Sequence, residues 1–325
     1  MPLLIGLEEH YLSPEAKKHR ESPGQFNPYS LFPPHFTTKL QDLGHDRIQA
    51  MDAGSISLQV LSHSPGNYPP DVCKAANDFL AESCKKNSKR LAGFAVLPMA
   101  DPPAAADELS RCVREHGFPG ALIDAHLDGR HYDDEFFWPV FARAQELDVP
   151  IYIHPTFAPP EWMERYRGNF PEQTAFGMSI AGWGWHSETA LCILRLFASG
   201  FFDQYPKIKI IIGHMGEMLP FQLHRIAGQS AGAMMWGKHQ RGLLEIWKEN
   251  IWVTTSGMFS LAPLTCLLRV SPIEKIMFSV DYPFSSNERG KEFVDEMRDS
   301  GLLTPEQLDL VCYKNAENLL GVKAT

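Results

Sequence analysis

The sequence has 325 residues, of which 44% are hydrophobic and 21% are charged, and its formal net charge is −9 at pH 7. This composition supplies enough apolar surface for a sizeable core and differs from that of a disordered chain. The negative balance excludes the basic footprint of a nucleic-acid-binding protein, and no apolar run is long enough for a transmembrane helix. We therefore expect one globular domain over residues 1–325, with neither nucleic acid nor membrane as a partner.

Short apolar runs recur along the chain and predict eight strands, at 3–7, 56–61, 91–97, 120–123, 149–153, 208–212, 251–255 and 276–280. They are rich in Ile, Val and Leu and do not alternate with polar residues, as expected for strands that are buried on both faces. Amphipathic stretches between them predict helices at 72–86, 104–115, 136–146 and 189–201. Alternating strands and helices over this length predict an α/β fold, a (β/α)8 TIM barrel.

Two segments interrupt this alternation and are expected to be irregular loop insertions. One, 13–39, is rich in Pro and aromatic residues, and the other, 155–185, is rich in Pro, Gly and Trp. Both follow predicted strands, so both would lie at the C-terminal face of the barrel, where active sites are built. The final stretch, 305–320, predicts one or two closing helices.

The cysteines and the start of the chain favour a cytoplasmic protein. Six cysteines are scattered without a CxxC pair, so we expect reduced and mostly buried thiols. The apolar start, 1–7, runs directly into Glu8, Glu9 and His10 and lacks a charged leading region. It is therefore not expected to be a signal peptide.

Five polar side chains follow four of the predicted strands. Glu8 and His10 come after the first strand, His154 after the fifth, His214 after the sixth and Asp281 after the eighth. Because the carboxyl ends of parallel strands share one rim of a barrel, we expect these side chains to converge there. Alone, each would be an ordinary polar strand-end residue, but together they favour a metal site, since burying unpaired charges is costly. Imidazoles and carboxylates suit Zn²⁺ or Mn²⁺ and, less well, Mg²⁺.

Short motifs around these residues connect the sequence to a known family. They are Glu8-x-His10, His154-Pro155, Gly213-His214-Met215-Gly216-Glu217, Phe278-Ser279-Val280-Asp281-Tyr282-Pro283 and Gly182-Trp183-Gly184-Trp185-His186-Ser187-Glu188. With them the chain, from Leu7 to about Leu320, resembles the amidohydrolase superfamily. More narrowly, it resembles the branch that contains γ-resorcylate, 2,3-dihydroxybenzoate, salicylate and 5-carboxyvanillate decarboxylases. The resemblance implies a carboxy-lyase, that is, a carbon–carbon lyase.

The resemblance also implies a role for each matching residue. Glu8, His10, His154 and Asp281 would bind the metal, and Asp281, His214 and Glu217 would be catalytic. Asp281 is the first choice as proton donor and His214 the second, while Glu217 would orient His214. A second interpretation of Glu217, as a carboxylate that satisfies the dipole at a helix N-terminus, is compatible with this role.

Four further residues are candidates for the substrate pocket: Arg225, His186, Phe26 and Phe284. Arg225 lies eleven residues after His214, where members of the branch often carry an arginine, but a solvated helix charge is an equally good interpretation. His186 opens a helix, and Phe284 follows the last motif. Phe26 belongs to the aromatic segment after the first strand, which would either wall a ring-binding slot or form a stacked loop core.

The first and fourth strands bear on the number of metal ions. Many hydrolases of the superfamily use His-x-His on the first strand and a carboxylated lysine on the fourth to bridge two metals. Here the first strand ends in Glu8-x-His10, and the fourth, at 120–124, contains no lysine. We therefore expect one divalent metal ion and no organic cofactor.

The expected reaction is the metal-dependent, non-oxidative and reversible decarboxylation of an ortho-hydroxybenzoate to the phenol and CO2. Salicylate and 2,3- or 2,6-dihydroxybenzoate are the types of substrate considered. Direct loss of CO2 would leave electrons that the ring cannot delocalise, so the ring carbon must first be protonated. An ortho hydroxyl, ionised to phenolate, supplies the electron density for that step.

Two other functions fit the same scaffold. One is a metal-dependent hydrolase of a lactone or amide, or a hydratase of a dicarboxylate, with His214 as the base. The other is a barrel that only binds a small acid, which is the weakest alternative because all proposed ligands are present. In the preferred case the partner is a small aromatic carboxylic acid, and the family suggests a homodimer or homotetramer.

Overall fold

The computed structural model of the chain describes residues 2–24, 27–231, 235–237 and 239–324. Its strands are β1 Ile5–Tyr11, β2 Leu58–His63, β3 Leu91–Gly93, β4 Ala121–Asp124, β5 Ile151–His154, β6 Ile210–Ile212, β7 Ile251–Thr254 and β8 Ile276–Met277. All paired neighbours are parallel, in the orders β1-β2-β3 and β4-β5-β6-β7-β8.

Helices connect and surround the strands. They are α1 Pro14–Arg20, α2 Pro34–Gln41, α3 His45–Ala53, α4 Pro70–Lys86, α5 Pro102–Arg111, α6 Trp138–Glu146, α7 Glu172–Ser179, α8 Gly184–Ala198, α9 Phe201–Gln204, α10 His214–Glu217, α11 Leu219–Ser230, α12 Leu243–Asn250, α13 Leu261–Val270, α14 Asn287–Asp299, α15 Pro305–Asp309 and α16 Asn315–Leu320. Shorter 3₁₀ or π segments lie at Pro28–Leu31, Cys112–His116, Glu135–Phe137, Pro160–Tyr166, Ile273–Lys275 and Leu310–Lys314. No helix within the described ranges has both the length and the apolar character needed to cross a membrane.

The two groups of strands close into one barrel. A parallel bridge between Ala95 and Ala121 joins the β3 side to β4. On the other side, the Leu7 and Glu8 amides of β1 donate to Ser279 Oγ, just beyond β8, at 3.1 and 2.8 Å. The Glu9 carboxylate strengthens this seam, because its Oε1 accepts from the Val280 amide at 2.9 Å. The structure confirms the predicted (β/α)8 TIM barrel.

The interior of the barrel is filled by apolar side chains from seven of the strand regions. They are Ile5, Leu7, Leu58, Val60, Phe94, Leu122, Tyr152, Ile211 and Met277, and Ala316 and Leu320 of α16 pack against them. A larger buried cluster lies between the strands and the surrounding helices. Because the strands are covered on both faces, they carry continuous apolar runs, as the sequence predicted.

Several element boundaries differ from the sequence predictions. β1 continues to Tyr11, so Glu8 and His10 lie inside the strand, and β3 ends at Gly93. The segments 13–39 and 155–185 were wrongly predicted to be irregular, since they contain α1, α2, α7 and the start of α8. Ser13 caps α1 by accepting from the Ala16 amide at 3.3 Å, and proline occupies the first turn of both α1 and α2. All six cysteines are free, and four of them are buried.

Candidate metal centre

Four side chains meet at the C-terminal rim of the barrel and form what we call the metal centre: Glu8, His10, His154 and Asp281. Each offers one ligand atom, and these atoms all lie within 4.8 Å of one another. Glu8 and His10 are two residues apart on β1, and both reach this centre although Leu7 also faces the barrel interior. Both can do so because the pairing of β1 with β2 shifts register between Gly6 and Glu9. His154 is the last residue of β5, and Asp281 follows β8 with a left-handed φ of 70°.

The two oxygens of Glu8 have different surroundings. Oε2 accepts from Ser256 Oγ at 2.7 Å and from the Tyr152 hydroxyl. Oε1 is buried and has no hydrogen-bond partner among the residues that the structure describes. The Nε2 atoms of three imidazoles surround it, at 3.1 Å for His154, 3.5 Å for His214 and 3.9 Å for His10. Those histidines and this oxygen therefore face one common point.

Each of these histidines is held by its other ring nitrogen. His154 Nδ1 lies 2.5 Å from the Pro155 carbonyl, which fixes the proton on Nδ1 and leaves Nε2 free to coordinate. His10 Nδ1 lies 3.3 Å from Ser62 Oγ, and its buried Nε2 has no hydrogen-bond partner within the described part of the chain. A buried oxygen and a buried nitrogen without partners are costly unless something binds them. A divalent cation with nitrogen and oxygen ligands fits both.

His214 is presented by an unusual turn after β6. Residues 214–218 all have φ between 46° and 89°, in the left-handed region that L-residues rarely adopt. The preceding Gly213 is needed for a different reason, since a Cβ there would lie 2.6 Å from Glu8 Oε2. Strained backbone of this kind is concentrated at functional sites. This left-handed turn brings the His214 ring to the metal centre before the chain enters α11.

Glu217 joins two histidines beside the metal centre. Its Oε1 lies 2.7 Å from His214 Nδ1, and its Oε2 lies 2.7 Å from His186 Nδ1. Burial opposes the charge of Glu217, but the two imidazoles outweigh it and lower its pKa to about 2. Burial also opposes a charge on His214, yet the carboxylates of Glu217 and Glu8 raise the His214 pKa well above its ordinary value. Against burial, Glu8 raises the pKa of His154 in the same direction, so the carboxylates of the site favour positive charge on both imidazoles.

Asp281 lies between two of the histidines. Its Oδ1 is 3.2 Å from His10 Nε2, and its Oδ2 is 3.8 Å from His214 Nε2. Burial favours its neutral form, but the contacts with these two imidazoles outweigh burial and hold the Asp281 pKa well below its usual range. An ionised Asp281 is suited to bind a cation, with a protonated imidazole within reach.

The four predicted pocket residues have different positions. The Phe284 ring lies 5.8 Å from the His10 ring, beside the metal centre. His186 contacts Glu217 and is one step further away. Arg225 is exposed on α11. Phe26 lies outside the residues that the structure describes.

Sequence reasoning missed the residues that hold the metal centre in place. Tyr152 and Ser256 fix one oxygen of Glu8, and Ser62 contacts His10. Glu9 was passed over although the pair Glu8-Glu9 lies within a fully buried strand. Burial raises the pKa of Glu9 to about 8, despite the amide donors that it binds. The available signal was a polar residue inside an apolar strand, as at Tyr152, and the polar run 254–256, which begins at the last residue of β7.

The chain is similar over nearly its whole length to several known proteins. Residues 31–322 match the Amidohydrolase family model. Decarboxylase orsB of Emericella nidulans is 48% identical, with 99% of this chain and 98% of that protein covered. Gamma-resorcylate decarboxylase of Polaromonas sp. JS666 is 34% identical over 97% of each chain. A structure of the dihydroxybenzoic acid decarboxylase from Polaromonas sp. JS666, with bound manganese and the inhibitor 2-nitroresorcinol, has a TM-score of 0.85 and 31% identity over 99% of this chain and 97% of that one.

Proposed function

Because this chain belongs to the amidohydrolase family, we propose that it is a metal-dependent carboxy-lyase that releases CO2 from an ortho-hydroxybenzoate. The observation that carries the proposal is the buried Glu8 oxygen that faces three imidazole nitrogens without a hydrogen-bond partner in the described chain. Full-length similarity to decarboxylases of aromatic acids supports it. The reaction is reversible in this proposal, so phenols should be carboxylated at high bicarbonate.

The metal centre would hold one divalent cation through Glu8, His10, His154 and Asp281. Mn²⁺ is the first choice, because the Polaromonas relative contains it, and Zn²⁺ is the second. When bound, the cation supplies a Lewis acid that orients the carboxylate and ortho oxygen of the substrate and lowers the pKa of the phenol. The ligand set provides two carboxylates and two imidazoles, which matches either ion.

The proposed acid–base work belongs to Asp281 and His214. Asp281, ionised in the free protein, takes a proton from His214 and passes it to the ring carbon that bears the carboxylate, and the bond to CO2 then breaks as the ring regains aromaticity. His214 holds that proton on Nε2, 3.8 Å from Asp281 Oδ2, and so can resupply Asp281 or act directly on the ring. Glu217 fixes the orientation of the His214 ring through its contact with Nδ1 at 2.7 Å. His186 in turn fixes the second oxygen of Glu217.

Aromatic side chains on two sides of the metal centre would position the ring. Phe284 lies 5.8 Å from the His10 ring, and Trp185 lies 6.4 Å from the His154 ring. Phe284 also packs against Phe36 at 5.5 Å, which fixes its orientation. Such apolar walls exclude water from a ring held between them and leave the carboxylate end to the polar groups.

The proposal is tested with a panel of isomeric acids. Purified, manganese-loaded protein is incubated with salicylate, 2,3- and 2,6-dihydroxybenzoate, and with 3- and 4-hydroxybenzoate, while CO2 release and ultraviolet absorbance are recorded. We expect turnover only of acids with an ortho hydroxyl. Turnover of 4-hydroxybenzoate at a comparable rate would contradict the proposal that the ortho oxygen supplies electron density to the ring carbon. Hydrolysis of lactones or amides without CO2 release would favour the alternative hydrolase.

A further inference from the structure

A cavity of about 500 Å³ lies beside the metal centre, at the ends of β2, β4 and β5. None of the four metal-centre residues lines it, but their neighbours do. Asp124 at the end of β4 is the register partner of His154 and accepts from Thr156 Oγ1 at 2.8 Å. His63 follows Ser62, which contacts the His10 ring. The cavity therefore borders the metal centre through residues that lie next to His154 and His10.

Arg20 of α1 is the first sign that the cavity binds a ligand. Its side chain is buried, with only 6% of the residue exposed. Nη2 donates to the Ser64 carbonyl at 3.2 Å and to the Pro65 carbonyl, and the guanidinium lies 4.4 Å from the Tyr29 ring. Nη1 has no acceptor, and no carboxylate within the described residues forms an ion pair with Arg20. A buried cation in this state lacks the partner that offsets its desolvation.

Two further donors without partners line the same cavity. The Gly129 amide donates to His126 Nδ1 at 3.1 Å, so the proton of the neutral ring is on Nε2. Burial and the neighbouring His131 keep His126 neutral, with a pKa of about 4. His126 Nε2 and the Tyr68 hydroxyl are both buried and have no hydrogen-bond partner in the described chain. Such groups call for an acceptor atom from outside the protein.

The cavity also contains an acceptor and apolar walls. Asp124 can accept a hydrogen bond. At neutral pH its carboxylate is ionised and would repel a carboxylate group of a ligand or a bicarbonate ion. Leu97, Met99 and Phe157 are among the apolar residues that line the cavity. The volume falls within the range of sites for ligands the size of an aromatic ring, and apolar walls stabilise a ring more than a small ion. A hydroxyl on an aromatic ring both accepts and donates hydrogen bonds, so it matches a lining that contains donors and one acceptor.

We propose that this cavity is the pocket for a second ring hydroxyl of the substrate, which Arg20, Tyr68 and His126 bind through its oxygen. The inference rests on the proposed decarboxylation and makes it narrower, because it assigns the enzyme to dihydroxybenzoates instead of salicylate. Arg20 then determines specificity without taking part in the chemistry at the metal centre. A site built to hydrogen-bond a substrate hydroxyl discriminates strongly against the analogue that lacks it.

The test compares Arg20→Met with the unaltered enzyme on salicylate and on 2,3-, 2,4-, 2,5- and 2,6-dihydroxybenzoate. We expect at least one dihydroxy acid to exceed salicylate in kcat/KM by about tenfold or more. Arg20→Met should lower kcat/KM for that acid by about 10–100-fold, as for a lost hydrogen bond to a charged group, and change salicylate by less than threefold. Tyr68→Phe keeps the ring beside Arg20 and should reduce the preference to a smaller degree.

Two results would overturn the pocket. If Arg20→Met lowers kcat/KM equally for all acids, Arg20 only fixes the backbone at residues 64–65 and does not recognise the second hydroxyl. If it raises the KM for bicarbonate in the reverse reaction and leaves the preference unchanged, the cavity serves the small ion instead.

Binding without turnover separates this inference from the proposed function. Calorimetry compares 2-nitrophenol with 4-nitroresorcinol and 2-nitroresorcinol, in which a nitro group stands for the carboxylate. A preference for at least one resorcinol that is lost in Arg20→Met supports the pocket even if no acid is decarboxylated. If the nitrophenol and the nitroresorcinols bind with equal affinity to the unaltered enzyme and to Arg20→Met, the hydroxyl pocket is refuted. The proposed decarboxylation would not be affected by that result.

Discussion

The metal centre and the Arg20 cavity share one physical signature and differ in the backbone that carries it. Both contain buried polar atoms without a partner in the described chain, Glu8 Oε1 and His10 Nε2 in one and Arg20 Nη1 and His126 Nε2 in the other. Three of the metal-centre residues lie on strands and Asp281 lies four residues after β8, whereas Arg20 lies on a helix inserted after β1 and His126 on a loop after β4. We therefore propose that the barrel strands carry the chemistry and that the connecting segments select the substrate.

Asp281→Asn should have the largest effect on the metal-centre side of this comparison. The amide cannot deliver a proton and is a weaker ligand, so kcat should fall by about 10⁴-fold, the upper end for an acid–base group. Metal content is measured in the same preparations, since a lost ligand would otherwise be mistaken for a lost acid. Asp299→Asn, an exposed change on α14, is the matched control. A variant that keeps more than a tenth of the activity would exclude Asp281 as the donor.

His214→Ala should separate acid–base work from metal binding. Its Nε2 is closer to Glu8 Oε1 than that of His10, yet we propose that it does not hold the metal. The variant should retain the metal and the fold and lose about 10²–10³-fold in kcat. His224→Ala, an exposed change on α11, serves as control. Recovery of His214→Ala without metal would instead make His214 a ligand, and near-normal kcat with metal bound would make it structural.

His186→Ala should have a smaller effect, because it acts through Glu217. Loss of the 2.7 Å contact frees one oxygen of Glu217 and loosens the orientation of His214. We expect kcat to fall by about tenfold with unchanged metal content, as is typical for groups that orient a residue of the site. Steady-state kinetics with elemental analysis measures both, and an unaltered kcat would show that Glu217 holds His214 without help.

Asp124→Asn probes the cavity side through stability. Burial raises the pKa of Asp124 in the folded chain to about 6, above its unfolded value of 3.8, although Thr156 partly opposes this. The folded state therefore loses stability as pH rises from about 4 to 6, and the Asn variant does not. The difference in unfolding free energy between variant and wild type should grow over this window by on the order of 1–3 kcal/mol and then level off. Thermal melts in which the difference in stability between wild type and variant does not change over this pH range would contradict the raised pKa of Asp124.

Much of the barrel and of the metal centre follows from sequence. Apolar runs mark all eight strands, and the polar residue that follows or ends a strand marks His154 and Asp281. The helices inside 13–39 and 155–185 were missed, because proline-rich composition hides proline at first helical turns. Arg20 was missed because its burial depends on packing against Tyr29 and Tyr68, which no local pattern encodes.

The central claim is that one divalent ion, held by Glu8, His10, His154 and Asp281, makes this chain a decarboxylase. The most direct test removes all metal with a chelator, confirms the removal by elemental analysis, and restores Mn²⁺ in steps while CO2 release from 2,6-dihydroxybenzoate is measured. We predict no activity without metal and a linear rise that ends at about one ion per chain. Full activity in protein shown to contain no metal would contradict the claim, and so would a requirement for a second ion.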